Sequence, residues 1–94
     1  MLKPVIKQHL IALAQKYDID KIILFGSRAK GTNSERSDID IAVSGKNVRD
    51  FTFDVDELIP TLLKFDVTNL NSPHGKSFLN EIHSTGVVIY EKTR

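Results

Sequence analysis

Lys21-Ile22-Ile23-Leu24-Phe25-Gly26-Ser27, then ten residues, then Asp38-Ile39-Asp40-Ile41-Ala42-Val43, is the stretch on which the fold turns. Its first part is a short β-branched and aromatic run closed by glycine, the pattern of a buried strand. Its second part alternates polar and apolar residues, the period-2 mark of a strand with one face on a core. Between them lies a loop rich in Gly, Ser, Thr and Asn, with room for one helical turn over residues 27–30. Gly26 lets the backbone turn sharply because no Cβ stands in the way. The Ser27 hydroxyl and the N–H groups after it can then face an anion, as helix N-termini and backbone nests do. Asp38 and Asp40, two apart on a strand, project from one face. Ile39, Ile41 and Val43 project from the other, into the core.

Working outward, Ile6, Leu10, Leu13, Ala14 and Tyr17 recur at helical spacing and predict an amphipathic helix from Pro4 to about Tyr17. Pro4 falls in its first turn, where a missing N–H is harmless. Beyond the central stretch, Ser44-Gly45-Lys46-Asn47 reads as a turn. Phe51, Val55, Leu58, Ile59 and Leu62 predict a helix from Asp50 to about Leu63, which Pro60 should end early or kink. Residues 64–70 read as a third strand, Gly75 to His83 as a short helix, with Ser72 offering a cap, and 86–90 as a fourth strand. Phe78 and Tyr90 are assigned to the core, as are Phe51 and Phe53, for which a partly exposed partner surface is the alternative. The order α-β-loop-β-α-β-α-β points to a small α/β (α+β) domain, a mixed sheet of about four strands flanked by helices. With 94 residues, the chain is expected to form one domain over 1–94.

Two carboxylates on one strand face repel each other and become compatible when a divalent cation lies between them. Mg²⁺ suits such a pair, because it takes one or two carboxylates together with substrate phosphates. In Phe65-Asp66-Val67, the flanking residues read as core-facing, which leaves Asp66 on the polar face. If that strand pairs beside 38–43, Asp66 completes a three-carboxylate cluster suited to metal-assisted nucleotidyl transfer. Alone, a Gly-Ser after a strand is a common turn, and an Asp-x-Asp is a common solvated edge. Their joint occurrence as GSx10DxD in a chain this long is a chance event on the order of one in a thousand. Arg28 and Lys30 are candidates for supporting phosphate contacts. The histidines at 9, 74 and 83 show no ligand spacing.

The bulk composition narrows the field. Net charge is +1, from 13 basic and 12 acidic residues, so nonspecific nucleic-acid binding is not expected. No apolar run approaches a membrane span, and the N-terminus lacks a secretory pattern, so a cytoplasmic location is expected. Zero cysteines exclude disulfides, thiol nucleophiles and thiolate metal sites.

Residues 23–31, Ile-Leu-Phe-Gly-Ser-Arg-Ala-Lys-Gly, followed by Ser37-Asp38-Ile39-Asp40-Ile41-Ala42-Val43, closely resemble the MNT family, the minimal nucleotidyltransferases of the polymerase β superfamily. The resemblance implies a palm-like fold that binds ATP, as substrate, and Mg²⁺. It implies that Gly26 and Ser27 hold the triphosphate, that Asp38 and Asp40 ligate metal, and that Asp66 activates the incoming hydroxyl and joins the metal site. Many MNT proteins act as antitoxins of a HEPN-domain partner, a helical ribonuclease toxin, by transferring AMP to one of its tyrosines. A hetero-oligomer with such a partner is therefore implied. Two alternatives stand beside it: a non-catalytic module that neutralises the partner by contact, and a catalytic subunit working with a separate small-molecule-binding protein.

Overall fold

Chain reversal after Phe25 and strand alternation after Asp38 organise the whole molecule. The structure, a computed structural model, describes residues 2–93. Helix α1 (Pro4–Lys16) leads into β1 (Ile19–Phe25), the four-residue turn α2 (Ser27–Lys30), β2 (Ile39–Gly45) and α3 (Val48–Leu58). Strand β3 (Phe65–Asn69), α4 (Lys76–Thr85) and β4 (Val87–Glu91) follow. The sheet order is β3-β2-β1-β4. β1 pairs antiparallel with both β2 and β4, whereas β2 and β3 run parallel. A parallel pair needs a crossover connection, and α3 supplies it. The element order and the mixed four-stranded sheet agree with the sequence reading.

Strand alternation sorts the two faces. Ile39, Ile41 and Val43 are fully buried with Ile22 and Leu24 of β1 beneath α1 and α3. Ile6, Leu10, Leu13 and Ala14 form the buried stripe of α1, and Phe51 and Val55 that of α3. On the opposite face, Ile23 and Ala42 pack with Ile82 of α4 in a second, smaller cluster. Phe25, Leu70 and Phe78 border that cluster. The same alternation that buries Ile39 and Ile41 therefore turns Asp40 to the α4 face.

Tertiary context overrides the periodicity in the middle of the chain. Helix α3 begins at Val48 and stops at Leu58, because Ile59 precedes Pro60 and takes an extended backbone. Ile59 still reaches the core, but Leu58 is 57% exposed, Leu62 fully so and Phe53 67% exposed, against the inward placement expected of them. The N-cap of α4 is Gly75 rather than Ser72, and β2 extends through Gly45, into the expected turn. Phe78 and Tyr90 are half-buried at the margins of the core. The Tyr17 hydroxyl donates a hydrogen bond to Asp54, tying the end of α1 to α3.

Candidate active site

Gly26 adopts φ +72° and ψ −153°, a backbone region that is essentially confined to glycine. It ends β1 and serves as the N-cap of α2, so Ser27 opens the helical turn at the top of the sheet. A Cβ on Gly26 would sit 3.2 Å from the Asp40 Cγ and overlap its Oδ2. The Asp40 carboxylate thus rests directly against the Gly26 backbone, in space that only glycine leaves open. Phe25, one residue earlier, is the register partner of Asp40 across the β1–β2 pair.

On the other side of Asp40, the parallel ladder aligns Asp40 with Asp66. Neighbouring strands stand about 4.8 Å apart, and residues in register point to the same face. The strand pairing on which the third carboxylate depended is therefore present. Asp38 stands one residue before β2, exposed, at the end of the loop. The carboxyl of Asp40 is held above the ordinary carboxylate range, first by burial and then by the charges of Asp66 and Asp38. That ordering of causes is an electrostatic statement of proximity, since three like charges share one corner of the sheet.

Among the described residues, no three acidic or imidazole groups close into a ready-made metal cage. Mg²⁺ does not need one, because it keeps open positions for water and phosphate oxygens. A half-buried carboxylate whose ionised form is disfavoured by its neighbours gains by accepting a cation, and the Asp40 corner fits an ion of that kind.

Arg28, expected to support a phosphate contact, is also engaged within the fold. Its side chain is buried, at 7% exposure, and its guanidinium faces the loop that leads to Asp38. Nη2 donates to the Ser37 carbonyl at 2.9 Å and Nε to the same oxygen at 3.3 Å. The Ser37 hydroxyl in turn accepts from the Ser34 N–H at 2.9 Å, folding the loop on itself. Arg28 fastens the residue immediately before Asp38, so its influence on the site passes through carboxylate position. Arg28→Ala should lower stability in a urea melt by about 1–3 kcal/mol, because a buried side chain and its charged hydrogen bonds to the partly buried Ser37 carbonyl are lost. Arg28→Lys should recover little, since an ammonium lacks the planar fork. An unchanged urea midpoint with a raised KM for ATP would instead return Arg28 to the phosphate-binding role.

Lys30 pairs with Glu81 of α4 at 3.1 Å, with both side chains about half exposed. Such a pair contributes little to stability, but it joins the turn after Ser27 to the helix that crosses the α4 face. His74, Phe78 and Phe25, read as ordinary or core residues, form an aromatic group. Phe25 and Phe78 meet edge to face with centroids 5.8 Å apart, and His74 lies 5.5 Å from Phe78. The phase of β1 was the available signal, because it puts Phe25 on the Asp40 face. The grouping with His74 needed the path of α4. A separate cleft of about 610 Å³, lined by Lys3, Ile6, Arg36 and Leu62 among others, includes none of the three aspartates.

A glycine-serine turn beside strand-borne carboxylates, on a four-stranded mixed sheet, is the arrangement of a nucleotide-transferring α/β domain. The chain belongs to the family described as Polymerase beta, Nucleotidyltransferase, whose model matches residues 8–94. Two relatives from Methanocaldococcus jannaschii are similar to it. One, named "Putative protein adenylyltransferase MJ0604", is 47% identical over 64 residues, which is 66% of this chain and 62% of that protein. The other, "Putative protein adenylyltransferase MJ1215", is 32% identical over 75 residues, or 76% of this chain and 87% of that protein. The match thus spans less than two thirds of the first relative's length.

Solved structures agree on the fold. A chain of a toxin–antitoxin crystal structure with AMP-PNP superposes with a TM-score of 0.71 at 22% identity, covering 92% of this chain and 73% of its own. A chain from the structure of tri-AMPylated Shewanella oneidensis HEPN toxin in complex with MNT antitoxin gives 0.67 at 18% identity, covering 97% and 74%. Among the described residues, no helix is long and apolar enough to cross a membrane.

Proposed function

We propose that residues 1–94 act as one minimal, Mg²⁺-dependent nucleotidyltransferase domain. In this reading it transfers AMP from ATP to a tyrosine hydroxyl of a HEPN-type partner and so acts as its antitoxin. The observation that carries the reading is the in-register pair Asp40–Asp66, on one sheet face and beside the Gly26 turn. The names of the archaeal relatives and the toxin–antitoxin complexes that share the fold support the acceptor class.

In this reading Gly26 and Ser27 present the turn that cradles the triphosphate, and Lys30 lies within one helical turn of it. Asp38 and Asp40 hold Mg²⁺, which when bound offsets the charge developing on the reacting phosphate. Asp66, on the edge strand, accepts the proton of the tyrosine hydroxyl. The tyrosine oxygen forms a new bond to the α-phosphorus, the bond from that phosphorus to the bridging oxygen breaks, and pyrophosphate leaves.

The test is transfer of label from α-labelled ATP, with Mg²⁺, to a HEPN-domain partner protein. Label is expected on the partner with the intact chain and not with Asp38→Ala/Asp40→Ala. If the partner is still inhibited by the double variant and the intact chain transfers no label, contact alone neutralises it and the enzymatic reading is wrong.

A further inference from the structure

We infer that Phe25, Phe78 and His74 form the platform on which the nucleobase of the donor nucleotide stacks, an inference that rests on the nucleotidyltransferase reading above. Phe25 is joined directly to Gly26 and is paired with Asp40, so its ring shares the sheet face that carries the carboxylates. Phe78 meets it edge to face, and His74 continues the group from the segment before α4. The His74 ring is fixed: Nε2 lies 2.8 Å from the Asn69 carbonyl, an acceptor, so this nitrogen carries the proton. All three rings are half-buried. A purely structural cluster on this small domain would gain by burying its rings fully, as Phe51 does on the other face.

The occupant follows from what is tethered to the phosphates. A triphosphate seated at Gly26-Ser27 brings its nucleoside within reach of the adjoining residues of the same face. Planar bases stack on aromatic side chains with little dependence on sequence or donor pattern. The carboxylates offer such a base nothing, because they repel the charge next to it and belong with the cation. Among the described residues, the aromatic group is the planar, apolar surface on the face that carries Asp40.

The experiment compares binding of Mg-ATP and Mg-tripolyphosphate to the full chain by calorimetry, for wild type, Phe78→Leu and His74→Ala. Both variants are expected to lose about tenfold in ATP affinity, with tripolyphosphate affinity unchanged. Phe78 borders the small core cluster, so circular dichroism and melting confirm that its variant is folded, and His74→Ala stands as the independent case. ATP affinity unchanged in both folded variants overturns the inference. So does an equal loss for ATP and tripolyphosphate, which would make the cluster a support for the phosphate site. Unchanged ATP affinity with a raised KM for the acceptor would assign the rings to the incoming phenol instead. A wild-type chain that binds neither ligand would overturn the nucleotidyltransferase reading itself, whereas normal ATP binding with any of the preceding outcomes removes only the stacking platform.

Discussion

Asp40→Asn is expected to reduce nucleotidyl transfer by about a thousandfold and at the same time to raise the melting temperature. The loss follows, under the proposed mechanism, from the removal of one anionic Mg²⁺ ligand, a change worth several kcal/mol of transition-state stabilisation. The gain follows from the electrostatics of the folded state. Folding takes Asp40 from water, where a carboxyl titrates near about 3.9, to a site where burial, Asp66 and Asp38 all favour the neutral form. As pH rises from that value, the native state retains a proton that the unfolded chain has released, so stability declines. The decline stops once pH exceeds the raised native value, leaving wild type penalised at neutral pH. Asparagine removes the penalty while keeping the shape of the side chain. The variant should therefore melt a few degrees higher at pH 7 and show no advantage near pH 3. An equal or lower melting temperature at pH 7 would mean that Asp40 is not held against its charge.

Gly26→Ala is expected to disrupt the site from the opposite direction. The backbone at this position lies where only glycine is comfortable, so alanine strains the chain by about 1–3 kcal/mol. For a domain of this size that corresponds to a fall of roughly 5–20 °C in melting temperature. The added methyl also overlaps the Asp40 carboxylate. A terminal carboxylate can rotate aside, so this second effect should appear mainly as lost activity. Combining Gly26→Ala with Asp40→Ala, measured against Asp40→Ala alone so that relief of the Asp40 charge cancels, separates the two contributions. Relative to Asp40→Ala, adding Gly26→Ala should cost only the part that comes from the backbone, and the difference from its cost in wild type is the part that comes from overlap. Activity within tenfold of wild type in Gly26→Ala would argue against a close approach of this turn to the reacting groups.

These two residues were also the most legible in the sequence, for a physical reason. A period-2 alternation allows one strand phase, and with Ile39, Ile41 and Val43 inward, Asp40 had to face away. A glycine that closes a buried run and precedes serine had few other conformational uses. Asp66 was legible in phase but not in neighbourhood, since its phase within residues 64–70 is local whereas its pairing with Asp40 depends on α3 carrying the chain back parallel to β2. Arg28 shows the limit more sharply. Its charge is visible in the sequence, but the carbonyl oxygens that consume it belong to a loop whose path no pattern specifies. Leu62 failed for the related reason that helical periodicity was carried past the point where Ile59-Pro60 breaks it, and Phe53 and Leu58, inside α3, because a small sheet cannot cover every apolar side chain offered to it.

The place of Asp66 on β3 has a further consequence. β3 is a five-residue strand at the edge of the sheet and hydrogen-bonds to a neighbour on one side only. Segments with fewer backbone partners open locally at a lower free energy than the sheet as a whole, so β3 is expected to open in a small population of molecules while α1, β1 and β2 stay folded, which hydrogen exchange of its amides would show. In that population the Gly26 turn, Asp38 and Asp40 persist, but Asp66, the proton acceptor of the proposed mechanism, is gone. Under the proposed mechanism, competence for transfer would then be a property of the margin of the fold, and a partner seated along that margin would set the working fraction of the population by holding a single strand closed.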